Sequence, residues 1–84
     1  MSRHELKLPD LGLDDQPVVV SLWLVKRGGR VVEGGRLLEV LAGTALVDLP
    51  APVSGTLVET LVGADDVVRV GQRLAVIEAD EGSP

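Results

Sequence analysis

The sequence contains no cysteine, so disulfides and thiolate chemistry are excluded and the fold must hold by packing alone. Phenylalanine and tyrosine are absent too, and Trp23 is the single aromatic residue. That argues against an aromatic-lined ligand pocket and for a thin core of branched aliphatics, of the kind small sheets build. Basic residues are few and dispersed: the net charge is −5, the arginines stand singly, and Lys7 and Lys26 are the only lysines. A nucleic-acid partner, which needs a basic face, is not expected. No apolar run reaches the ~18 residues that cross a bilayer, and residues 1–8 lack the apolar segment of a signal peptide. No membrane partner is expected, and the reading is of a soluble, cytoplasmic chain.

What remains is an aliphatic chain of 84 residues, 45% apolar and rich in valine and leucine. This length suits one compact domain, and such a domain buries only about 60% of its unfolded surface. β-Branched or alternating runs are bounded by Gly, Pro or Asp at short, regular intervals, the pattern of a sandwich or barrel. Strands are expected near 4–8, 18–25, 36–41, 45–49, 56–62 and 73–78, with short bridging pieces around 31–32 and 68–69. No helix is expected, because the best candidate, VVVSLWLV at 18–25, is β-branched and too short.

An internal repeat supports an all-β reading. VKRGGRVVEGGRLLEVL (25–41) matches VGADDVVRVGQRLAVIE (62–78) at an offset of 37 residues, with Val25/Val62, Val31/Val68, Gly34/Gly71, Arg36/Arg73 and Leu37/Leu74 in register. Two copies are too few for a solenoid, so two halves packed about a pseudo-twofold axis are expected, each covering the other's apolar face. The domain is placed at 1–78, and the small, acidic stretch 79–84 is read as a flexible tail.

Between LLEVL (37–41) and ALVDL (45–49) lie only Ala42, Gly43 and Thr44. A two-residue loop at Gly43-Thr44 places glycine at the first central position, where a type II′ turn requires positive φ. The local chemistry thus specifies a tight, exposed hairpin tip over Ala42, Gly43, Thr44 and Ala45. After it, Pro50 and Pro52 cannot donate to a ladder, and Ser54-Gly55 supplies the turn into the next strand.

These segments together resemble the biotinyl/lipoyl family, and most closely the lipoyl domains of 2-oxo acid dehydrogenase acyltransferases. Lys7-Leu8-Pro9-Asp10-Leu11-Gly12 is similar to the family's opening. LWLVKRGGRVVEGGRLLEV (22–40) resembles the approach to the attachment hairpin, and PAPVSG (50–55) and VRVGQRLAVIE (68–78) resemble the segments beyond that hairpin. The LPDLG opening and the lack of a Met-Lys-Met tip favour the lipoyl branch. The resemblance implies a flattened barrel, a barrel-sandwich hybrid of two four-stranded antiparallel sheets. It also implies a cofactor-bearing lysine eleven residues before the glycine of the PAPVSG-like segment. Counting back from Gly55 lands on Thr44, preceded by Gly43.

Attachment forms an amide between the cofactor carboxyl and a primary amine. Threonine offers a secondary hydroxyl, a poor nucleophile without an adjacent base, and lacks the long stem of a lysine-borne arm. The expectation is therefore a degenerate attachment site at Thr44 with no cofactor bound, although the family's would be lipoate. The leading reading is a non-catalytic module acting through protein contacts or as a scaffold. The alternatives are an acyl-carrier domain working with 2-oxo acid dehydrogenase-type subunits, and a docking adaptor that uses a strand edge.

Other residues give no catalytic or metal set. His4, the only histidine, is read as a solvated residue near a mobile terminus; Asp14-Asp15 and Asp65-Asp66 as turn residues; Gly28-Gly29 and Gly34-Gly35 as turns. Trp23 is read as packing beneath or beside a sheet. Ser21, Ser54 and Thr44 have no histidine that the sequence can place beside them, so a hydrolytic triad is not supported.

Overall fold

The computed structural model describes residues 2–12 and 16–80. Eight strands follow one another: β1 (Ser2–Lys7), β2 (Val18–Trp23), β3 (Arg30–Val31), β4 (Arg36–Ala42), β5 (Ala45–Pro50), β6 (Gly55–Thr60), β7 (Val67–Val68) and β8 (Arg73–Ala79). They form two four-stranded antiparallel sheets, ordered β1-β8-β6-β3 and β5-β4-β2-β7. The two bridging pieces expected from sequence are β3 and β7. Each lies at an edge of the sheet built mainly from the other repeat.

The 37-residue offset relates β2, β3 and β4 to β6, β7 and β8, while β1 (from Ser2) and β5 (from Ala45) complete the symmetry at a spacing of 43 residues. Exchanging β2 with β6, β3 with β7, β4 with β8 and β5 with β1 turns one sheet order into the other. The turn hydrogen bonds obey the same operation. Gly28 N–H donates to Leu57 O and Asp65 N–H to Val20 O; Gly34 N–H donates to Ala51 O and Gly71 N–H to Leu8 O. Even the strand irregularities recur, between Val20 and Leu22 and between Leu57 and Glu59. The operation exchanges the two ends of an elongated body of 40 × 21 × 17 Å.

Alternation drives the core, as expected for strands that face a second sheet on one side. In β4, Leu38, Val40 and Ala42 point inward while Glu39 and Leu41 point outward; in β8, Ala75 and Ile77 point inward while Val76 and Glu78 point outward. Leu37, Leu38, Leu57, Leu74 and Ile77 are fully enclosed, and among the described residues no polar or charged side chain is buried. Gly55 opens β6 because its backbone lies against the β8 backbone: a Cβ there would sit 2.0 Å from Glu78 O.

The sequence expectations need small corrections. β2 ends at Trp23 rather than at residue 25, because the chain bends at Leu24 and Val25, although Leu24 N–H still donates to Leu37 O in the register of the β2–β4 pairing. Ala79 and Asp80 do not belong to a tail. Ala79 pairs with both Ser2 and Gly55, and Asp80 donates its N–H to Ser54 O while its carboxylate grips the Arg30 guanidinium. The rest of the expected tail, 81–84, lies outside the described residues, as do Asp14 and Asp15. His4 is not on a loose end either: it lies within β1, opposite Ile77, and is exposed.

Candidate functional site

The hairpin joining β4 to β5 is built as the sequence predicts. Register runs from Leu38↔Leu49 through Leu41↔Leu46 to Ala42↔Ala45, leaving Gly43 and Thr44 as a two-residue loop. Gly43 has φ +63°, and Thr44 is not among the residues with positive φ. This sign pattern is that of type II′ rather than I′, which demands positive φ at both positions. Ala42 is buried and anchors the tip to the core, Gly43 is half-buried, and Thr44 and Ala45 are exposed.

The tip is braced from the β1–β2 connection. Gly43 N–H donates to Pro17 O at 3.3 Å, and the Gln16 side chain lies over Gly43, where a Cβ would meet Oε1 at 2.1 Å. Sequence reasoning missed Gln16 and Pro17 as tip contacts. The sequence repeat stops short of both residues and held no signal for them; only the structure shows that Pro17 and Gly43 correspond to Ser54 and Asp80, which make the same backbone bond at 3.0 Å at the opposite end.

No ionisable residue lies between Glu39 and Asp48. Among the described residues, no carboxylate or imidazole hydrogen-bonds the Thr44 hydroxyl. Neither lysine is on the hairpin: Lys7 closes β1, 4.0 Å from Glu5, and Lys26 lies past β2, in the exposed turn before β3. A groove of about 430 Å³ lies beside the tip's brace, between residues such as Pro9, Leu11 and Pro17 on one side and Val67 and Val70 on the other; Thr44 does not line it.

The remaining sequence candidates fall into structural roles. Trp23 Nε1–H donates to Val62 O at 2.9 Å while its ring packs against the core. Asp66 accepts the Gly63 N–H at 2.7 Å, and Asp65 takes φ +72° where its repeat counterpart, Gly28, has +87°. Gly28-Gly29 and Gly34-Gly35 form turns. Ser21 Oγ donates to Glu39 at 3.0 Å, and Ser54 Oγ accepts the Glu33 N–H at 2.9 Å, so neither hydroxyl meets the chain's one histidine. Among the described residues no three His, Asp or Glu side chains converge as a metal site, and no helix is long and apolar enough to cross a membrane.

Comparison with known proteins places matches on this frame. The family described as "Biotin-requiring enzyme" matches residues 4–77. The dihydrolipoyllysine-residue acetyltransferase component of the pyruvate dehydrogenase complex of Staphylococcus epidermidis RP62A is 35% identical over 77 residues. Its counterpart from Staphylococcus aureus Mu50 shows the same identity over the same length. In each case the match covers 92% of this chain and 18% of the relative, so the chain spans less than a fifth of the length of the proteins it matches.

Proposed function

Since the chain belongs to the biotinyl/lipoyl family, we propose that it is a lipoyl-domain-like, non-catalytic module that works through protein contacts and carries no cofactor. The observation that carries this reading is Thr44 on a well-formed type II′ tip: the presentation geometry is kept and the amine is missing. The residues present do not fit lipoate or biotin. An amide bond needs a primary amine, the hairpin has none, and among the described residues no carboxylate or imidazole hydrogen-bonds the Thr44 hydroxyl to activate it. No transfer step is assigned to this chain. Cytoplasmic subunits of a 2-oxo acid dehydrogenase-type complex are the partners this reading favours, because the relatives are components of the pyruvate dehydrogenase complex.

Intact-mass measurement of the protein purified from its native host tests the proposal. The expected mass is that of the unmodified chain; an added lipoyl or biotinyl group on Thr44, Lys7 or Lys26 overturns it. A second reading, an acyl-carrier domain, is favoured by the same intact tip together with the 35% identity to acetyltransferase components. Treatment with a lipoate ligase separates the two. The native chain stays unmodified if the first reading holds, while Thr44→Lys regains an acceptor amine on an otherwise prepared hairpin.

A further inference from the structure

The pseudo-twofold makes each half of the domain a control for the other. Across the outer face of the tip-bearing sheet, one residue in from the turn, cross-strand partners form a row: Leu46 on β5, Leu41 on β4, Val19 on β2 and Val67 on β7. Leu46 and Val67 are each 63% exposed and Leu41 is 38% exposed. At the symmetry-equivalent place on the other sheet the row is Arg3, Glu78, Thr56 and Arg30. The same backbone is satisfied there by four polar side chains, so the fold does not call for apolar residues in this row. Directly opposed apolar side chains on a solvent face are also what a sheet ordinarily avoids unless something covers them.

We infer that the Val19–Leu41–Leu46–Val67 row is a docking surface for a transient protein partner that presents apolar side chains beside lysine or arginine. The inference deepens the protein-contact reading above and rests on it. Charge argues for the basic component. The next row on the same face carries Glu39 and Asp48, directly paired across the hairpin. Among the described residues, Glu39 has a hydroxyl but no cation as partner, and Asp48 has only the exposed Arg36 at 3.4 Å. Size argues for a transient contact: four partly exposed side chains offer a few hundred Å², short of the ~800 Å² per partner of a stable interface. A second copy of the chain suits the row poorly, because pairing it with itself sets two acidic rows together between molecules of net charge −5.

The test is an NMR titration of the isotopically labelled chain with three designed peptides: leucine alternating with lysine, leucine with glutamate, and serine with lysine. The leucine–lysine peptide is expected to shift amides at Val19, Leu41, Leu46 and Val67, and the other two to bind at least tenfold more weakly. Leu46→Thr with Val67→Thr, which changes no charge, is expected to weaken the first peptide at least tenfold. A second variant moves the polar row across (Leu46→Arg, Leu41→Glu, Val19→Thr, Val67→Arg) and is expected to keep the wild-type Tm. Shifts centred elsewhere, or undiminished binding by the threonine variant, overturn the proposal. Unfolding of both variants overturns it as well, by making the row structural. Row-dependent dimerisation in sedimentation, or row-dependent binding to phosphatidylcholine–phosphatidylserine vesicles, replaces the partner with a second copy or a membrane. The mass measurement fails independently: a lipoylated chain removes the non-carrier reading, whereas undiminished binding by the threonine variant removes only the row.

Discussion

Leu37 and Leu74 occupy equivalent places in the two repeats, and both are completely enclosed. Their carbonyls make equivalent bonds, accepting from Leu24 N–H and Leu61 N–H at 2.9 Å. Truncation of either to alanine removes the transfer free energy of three buried carbon atoms and leaves a cavity between two sheets that cannot both close on it. The expected cost is ~3 kcal/mol, within the 2–5 kcal/mol range of buried leucine truncations. An 84-residue domain has roughly 4–13 kcal/mol in total at about 0.05–0.15 kcal/mol per residue. The loss is therefore more than a fifth of the whole, and Tm should fall by roughly 12–24 °C at about 4–8 °C per kcal/mol. Urea unfolding followed by Trp23 fluorescence and by far-UV circular dichroism measures it, since the two probes must coincide if unfolding is two-state. The sharper expectation is equality: Leu37→Ala and Leu74→Ala should match to within about 1 kcal/mol, because their surroundings are related by the pseudo-twofold. A cost below about 1 kcal/mol for either, or a gap above about 2 kcal/mol between them, would refute the symmetric-core argument.

Other perturbations read other parts of the structure. Gly43→Ala forces a Cβ into positive φ and against the Gln16 side chain, and should cost about 1 kcal/mol in urea unfolding. Trp23→Phe leaves Val62 O without its indole donor and should cost ~1–2 kcal/mol, read by circular dichroism because the fluorophore is gone. The hydrogen bonds from Arg30 hold the Asp80 carboxyl below the usual carboxylate range. A carboxyl whose pKa is lower folded than unfolded contributes stability above its unfolded pKa, and that contribution is lost as pH falls through the folded one. Asp80→Asn should therefore melt below the wild type at pH 7 and converge with it at the most acidic pH where both still fold; a constant gap across the titration argues against the pair.

The fold was legible because its determinants are local and repeated. Alternation in β4 and β8, the glycine at the first turn position of the hairpin, and the Val31/Val68 and Leu37/Leu74 correspondences are all readable one residue at a time, and the strands formed where they indicate. Errors fell where a distant partner decides. Ala79–Asp80 are held by Ser2, Gly55, Ser54 and Arg30, far away in sequence.

The candidate tip divides in the same way. Its loop length, turn type and lack of an amine belong to residues 42–45 themselves, so the sequence by itself determines what chemistry Thr44 can offer. Gln16 and Pro17 reach the tip only because antiparallel pairing of Val18 with Ala42 carries them there. The row of Val19, Leu41, Leu46 and Val67 is scattered over 49 positions of the chain and becomes one surface only when four strands lie side by side. Side-chain chemistry is a property of each residue, whereas a surface is a property of register, and only the tertiary structure sets register between strands distant in sequence.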